Sequence, residues 1–139
     1  MKWILPSNRE INITFKKYKI DFDKPSRSKQ QFKIKQFLRK HCAHHILFEE
    51  VRIPSTLLKV DFLNLTKNFA IEHQGVAHIQ NGFNTFFHNN DRLKYLGSIK
   101  RDVEKRKHLE RNGFTLIETF PEDLPLTINF FIEKYGIYL

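Results

Sequence analysis

Two short apolar runs, each interrupted by one acid, limit what this chain can fold into more than any other feature. Lys59-Val60-Asp61-Phe62 and Ala70-Ile71-Glu72-His73-Gln74-Gly75 fall in segments of about residues 57 to 63 and 68 to 74, joined through Asn64-Leu65-Thr66-Lys67. Apolar runs bounded by turn-forming residues read as strands, and so short a connection predicts a hairpin. If it folds about Thr66 and Lys67, residues whose numbers sum to 133 face each other. Asp61 then sits opposite Glu72 and Lys59 opposite Gln74, all on one side of the sheet. Val60, Phe62, Ala70 and Ile71 mark both strands as central, where an unpaired acid is costly. Cross-strand neighbours have Cβ atoms about 4.5 to 5.5 Å apart, so the two carboxylates can share one cation. The plainer alternative is a pair of polar strand residues facing water.

The remaining pattern fills in a fold around this hairpin. Ser26 or Ser28 can cap a helix running to about His41, with Ile34, Phe37, Leu38 and His41 on its inner face and Lys29, Lys33, Arg39 and Lys40 outside or at its edge. A strand is expected at about residues 46 to 52. Past Gly75 comes an Asn-, Gly- and Phe-rich stretch to Asn90, read as a loop. A long charged helix to about Arg111 follows, carrying Leu93, Leu96, Ile99 and Val103, with Gly97 as a candidate break. Asn112-Gly113 ends it, Phe114 to Thr119 reads as a strand, and residues 121 to 135 as a short helix opened by a proline. Residues 11 to 22 alternate about Lys16-Lys17 and suggest an extended segment or irregular hairpin. The expected class is α/β or α+β, a mixed central sheet flanked by helices. Residues 1–25 form a basic N-terminal extension and 26–139 the main domain.

Length and charge narrow the function. A chain of 139 residues suits one domain, and 40% apolar residues with 14 Phe supply a core. A single cysteine, Cys42, excludes an internal disulfide framework and fits a reducing compartment. The opening apolar run is too short for a signal peptide and no run is long enough to span a membrane, so the expectation is a soluble, cytoplasmic protein. Residues 1 to 42 hold 12 Lys/Arg against 3 Asp/Glu, while residues 43 to 139 hold 12 of each, so the whole formal charge of +9 sits in the first third. Such a block is the electrostatic footprint of a phosphate-backbone binder, or else a solvated basic face.

Two carboxylates facing each other across a hairpin make a hard oxygen site. Mg²⁺ takes one or two carboxylates and keeps waters, which leaves positions for a phosphate oxygen and an activated water. The ordered set Lys59-Val60-Asp61, Glu72-His73-Gln74-Gly75, His78 and Arg101-Asp102 within a basic helix resembles the very-short-patch-repair-like branch of the PD-(D/E)xK endonucleases, which includes phage and homing nucleases. The resemblance spans about residues 26 to 120 and takes in Ser26-Arg27-Ser28-Lys29 and Asn112-Gly113-Phe114-Thr115-Leu116-Ile117-Glu118. It rests on the order of the motifs, none of which is specific alone. It implies a restriction-endonuclease-like fold with Mg²⁺ or Mn²⁺ held by Asp61, Glu72 and the backbone carbonyl of His73. It also implies His78 and Asp102 as an acid/base pair at the scissile phosphate, a role that suits the near-neutral pKa of histidine.

Two positions depart from that pattern. The catalytic lysine expected after the glutamate is Gln74, which can orient water and carries no charge. The first helix commonly offers a glutamate, and this chain has Gln31, able to reach a ligand water or the phosphate. Glu50 is either a replacement acid or an edge-strand residue facing water, the commoner situation. His41, Cys42, His44 and His45 lack a second ligand cluster at structural-zinc spacing and read as helix-end residues. His88 is expected to be packed by Phe86 and Phe87, and Phe83, Phe86 and Phe87 are candidates to wedge or stack on bases. Lys29, Gln31, Lys33, Lys100, Arg101 and Lys105 are the expected nucleic-acid contacts, with Lys107 and Arg111 on the same helix as Glu104 and Glu110. The expected function is a Mg²⁺- or Mn²⁺-dependent DNA endonuclease acting on double-stranded or branched DNA, by sequence-guided nicking or as a junction resolvase, the latter favouring a homodimer. The alternative is a catalytically silent DNA-binding protein on a nuclease scaffold.

Overall fold

A computed structural model describes residues 1–75 and 90–139. Among these residues, two sheets and three α-helices give an α+β architecture. Strands β1 (Lys2–Ile4) and β2 (Glu10–Asn12) form an antiparallel hairpin. Helix α1 (Lys29–Cys42) leads into β3 (Leu47–Arg52), β4 (Lys59–Asn64) and β5 (Phe69–His73). Helix α2 (Asn90–Arg111), β6 (Thr115–Thr119) and α3 (Ile128–Tyr135) complete the chain. The main sheet is ordered β3-β4-β5-β6; the first two pairings are antiparallel and β5 runs parallel to β6. A parallel neighbour needs a crossover connection, which the segment containing α2 supplies.

The β4–β5 register is the expected one, pairing Phe62 with Ile71, Leu63 with Ala70 and Asn64 with Phe69, and both strands are central. Alternation sends Phe62, Phe69, Ile71 and Ile117 to one face, against Ile34 and Leu38 of α1 and Phe131 of α3. Leu63, Ala70 and Leu116 go to the other face, with Trp3, Phe15, Leu109 and Phe114.

Helix α1 begins where Ser28 Oγ accepts the Gln31 N–H at 3.1 Å, and its buried stripe is Gln31, Ile34, Lys35, Leu38 and Cys42. Phe37 and His41, expected inside, are half-buried; Phe37 stacks on Phe131 with ring centroids 5.5 Å apart. The unexpected interior residue is Lys35, whose ammonium donates to the Glu49 carboxylate at 2.7 Å and to the carbonyls of Asp21 and Lys24 at 2.9 and 2.6 Å. Three acceptors match its three donors, which makes burial of the charge tolerable.

Three other expectations are corrected. The hairpin spans residues 2 to 12 rather than 11 to 22, because Asn8 turns the chain at φ 66° and Trp3 is drawn into the core between Phe15 and Phe114. Residues 121 to 135 do not make one helix: a 3-10 turn at Pro121–Asp123 is separated from α3 by Leu124-Pro125, where the missing N–H and the proline ring bar helix continuation. Gly97 does not break α2, on which Leu96, Ile99 and Val103 are 43 to 49% exposed. The sheet-facing line of α2 is Asp102, Lys105, Arg106 and Leu109, because the strands beneath present Glu72 and Glu118 and demand cations there. Among the described residues, no helix is long and apolar enough to cross a membrane.

Candidate active site

The ladder between β4 and β5 stops at Phe62 and Ile71, one position short of Asp61 and Glu72. Beyond that point the Asp61 side chain replaces a backbone acceptor, its Oδ2 taking the His73 N–H at 2.7 Å. On the other side of β4 the pairing passes from Glu49–Phe62 to Val51–Val60, skipping Glu50 and Asp61. Glu50 lies at φ 53°, a left-handed conformation that a strand residue adopts at a cost of order 1 kcal/mol or more. Pairing is therefore interrupted on both sides of Asp61, which leaves an opening in the ladder there, and backbone strain of this kind concentrates at functional sites.

Into this opening come three carboxylates and several cations. Asp61, Glu72 and Glu50 line a hollow of about 220 Å³ together with Arg27, Lys59, Arg101 and Lys105. A second hollow, of about 340 Å³, lies on the α1 side of Asp61, and its lining includes Arg27, Ser28, Lys29, Gln30, Gln31 and His73. Arg27 borders both; its guanidinium is 3.6 Å from Asp61 Oδ1 and 3.9 Å from Glu50 Oε1. Lys105 reaches down from α2 to Glu72 Oε1 at 2.9 Å, and beside it Arg106 meets Glu118 at the same distance. A larger hollow, about 550 Å³, lies between residues 13–18 and the β3–β4 turn and is lined by no acid.

The electrostatics favour a further cation. Burial, and next the Asp61 carboxylate beside it, push Glu72 up to about 7, against the pull of Lys105. Burial also raises Asp61, reinforced by Glu50 and opposed by the His73 N–H, Arg27 and Lys105. Burial raises Asp102, with Glu118 adding to it and Lys105, Arg101 and Arg106 opposing. Glu72 Oε2 is buried with no hydrogen-bond partner among the described residues. Two neighbouring acids whose ionisation is disfavoured, one with an orphaned oxygen, fit a hard divalent ion that keeps most of its waters. No group of three or more His, Cys, Asp or Glu set to hold a metal occurs among the described residues.

The residues expected from sequence are partly brought together. Asp61, Glu72 and Lys105 converge, and Asp102 stands close enough for its charge to raise Glu72. The His73 ring is fixed at both ends, Nδ1 to Thr119 Oγ1 at 2.8 Å and Nε2 to Gln30 Oε1 at 2.7 Å. Burial lowers its pKa, and a neutral ring protonated on Nε2 satisfies both partners. Gln74 continues the sheet edge through its N–H to the Thr119 carbonyl. Gln31 is almost fully buried; its amide nitrogen donates to Glu49 at 3.0 Å and Glu50 at 2.9 Å, and the residue also borders the hollow on the α1 side of Asp61. Lys29, Lys33, Lys100 and Arg101 are exposed. His78, Phe83, Phe86, Phe87 and His88 lie outside the described residues.

Arg27 lies in the run Ser26-Arg27-Ser28-Lys29 that the resemblance takes in, but sequence reading did not single it out as a site residue. Glu50 is the other partial miss, since the strand pattern did not show that Gln31 holds it toward Asp61. Compared with models of known families, with curated proteins and with solved structures, the chain matches none.

Proposed function

We propose that this protein is a metal-dependent DNA endonuclease in which Asp61 and Glu72 hold Mg²⁺ or Mn²⁺ at a phosphodiester. The observation that carries this reading is the pair of central-strand carboxylates, Asp61 buried and Glu72 partly buried, at a break in the sheet beside a hollow ringed by Arg27, Arg101 and Lys105. A bound divalent ion would supply an acidified water and neutralise charge on the phosphate. The chain's own residues do the rest. The His73 N–H fixes Asp61, leaving Oδ1 turned toward Arg27. Gln31 and Arg27 orient Glu50 beside it. Arg101 and Lys29 are open to phosphates on either flank, and the basic block in residues 1 to 42 supports nucleic acid as the partner. By resemblance Asp102 would pair with His78 as acid and base, and its charge is felt at Glu72.

The test is nicking of supercoiled plasmid and of a labelled four-way junction with Mg²⁺ or Mn²⁺, comparing wild type with Asp61→Ala and Glu72→Ala. Each substitution is expected to abolish metal-dependent cleavage while DNA binding persists, and the preferred substrate separates a nickase from a dimeric junction resolvase. Binding without cleavage by wild type would overturn the reading. It would favour a silent DNA-binding scaffold, an alternative supported by the fact that Arg27 and Lys105 already partner the two acids.

A further inference from the structure

We infer that Lys105 is a catalytic residue, supplying from α2 the ammonium that the strand lacks at Gln74; this rests on the nuclease reading above. Three observations point to it. Lys105 is the cation that reaches Glu72, at 2.9 Å, and its side chain is 13% exposed, whereas Lys100, Arg101 and Lys107 on the same helix are exposed. It lines the same hollow as Asp61 and Glu72. A purely structural role is poorly served by this pair: clamping α2 to the sheet is already done next door by Arg106 on Glu118, and the pair leaves Glu72 Oε2 without a partner. A lysine is a compact point charge on a flexible stem, so side-chain rotation alone moves it from the carboxylate into the hollow.

In the reaction, the oxygen of water bonds to phosphorus, the P–O bond to the leaving strand breaks, and one water proton ends on the leaving oxygen. Lys105 exchanges no electrons in this. It stabilises the negative charge that builds on the attacking and non-bridging oxygens, as the motif lysine would from the strand.

The experiment uses the full chain and compares wild type, Lys105→Met, Lys105→Met with Gln74→Lys, and Asp61→Ala. It measures single-turnover nicking, Mn²⁺ affinity by calorimetry in the absence of DNA, and DNA affinity. Lys105→Met is expected to slow nicking by about 100-fold. Its Mn²⁺ affinity should be equal to or tighter than wild type, because a competing cation has left Glu72, and Gln74→Lys should restore at least about tenfold of the rate. The inference is overturned if Lys105→Met nicks within about threefold of wild type, if its Mn²⁺ affinity falls in step with the rate, or if Gln74→Lys restores nothing. Wild type nicking no faster than Asp61→Ala would instead sink the nuclease reading, and this inference with it.

Discussion

Replacing Glu72 by Gln should change how the metal-free protein responds to pH more than it changes the fold. In the folded chain Glu72 titrates at about 7, against 4.5 for an unperturbed glutamate, because burial and Asp61 disfavour its charge. A folded-state pKa above the unfolded value means that the native state binds the proton more tightly. Its contribution to stability is therefore whole below pH 4.5 and is lost as pH rises to about 7. The interval corresponds to about 3 kcal/mol. Glutamine keeps the shape and cannot ionise, and it also relieves Asp61, whose raised pKa acts in the same direction. Urea denaturation with EDTA at pH 5 and pH 8 should show wild type losing about 2 to 3 kcal/mol more than Glu72→Gln between the two. The reasoning fails if the two proteins lose stability in parallel, since the carboxylate would then be as well solvated or as well paired folded as unfolded. On the proposed function, divalent-metal affinity should rise over the same range with release of a proton, a linkage absent from the Gln variant.

Other substitutions probe the supporting frame. Lys35→Met removes the ammonium that joins α1, β3 and residues 21 to 24, leaving Glu49 short of its charge partner; a loss of about 3 kcal/mol in urea is expected, and less than about 1 would show the pair to be dispensable. Gln31→Glu restores the acid that the resemblance calls for, yet here it faces Glu49 and Glu50 and gives up both donated hydrogen bonds. It should destabilise the fold by about 2 kcal/mol near pH 7 without tightening Mn²⁺ binding, and tighter binding in calorimetry would refute the assignment of Gln31 as a positioning residue.

How much of this was legible follows the range of the interactions. The cap of α1 at Ser28 spans three residues and the β4–β5 register a few more, so both can be read from the sequence and both appear as expected. The facing of Asp61 and Glu72 follows from that register. What escaped was whatever depends on a distant partner: Lys105 with Glu72 across 33 residues, Gln31 with Glu50 across 19, and Lys35 with Asp21 and Glu49. The inward side of α2 was not legible for the same reason, since Glu72 and Glu118 set it and periodicity alone cannot see them.

The sequence by itself determined the α+β class, the central hairpin with its two acids, the capped first helix and the basic first third, because local periodicity, turn chemistry and charge act over a few residues. Only the tertiary structure decided that the sheet opens at Asp61, that Arg27 and Glu50 crowd the opening, and that α2 turns its lysine inward. Those choices follow from the high cost of burying an unpaired charge, which forces each buried acid to find a partner wherever in the chain one can reach.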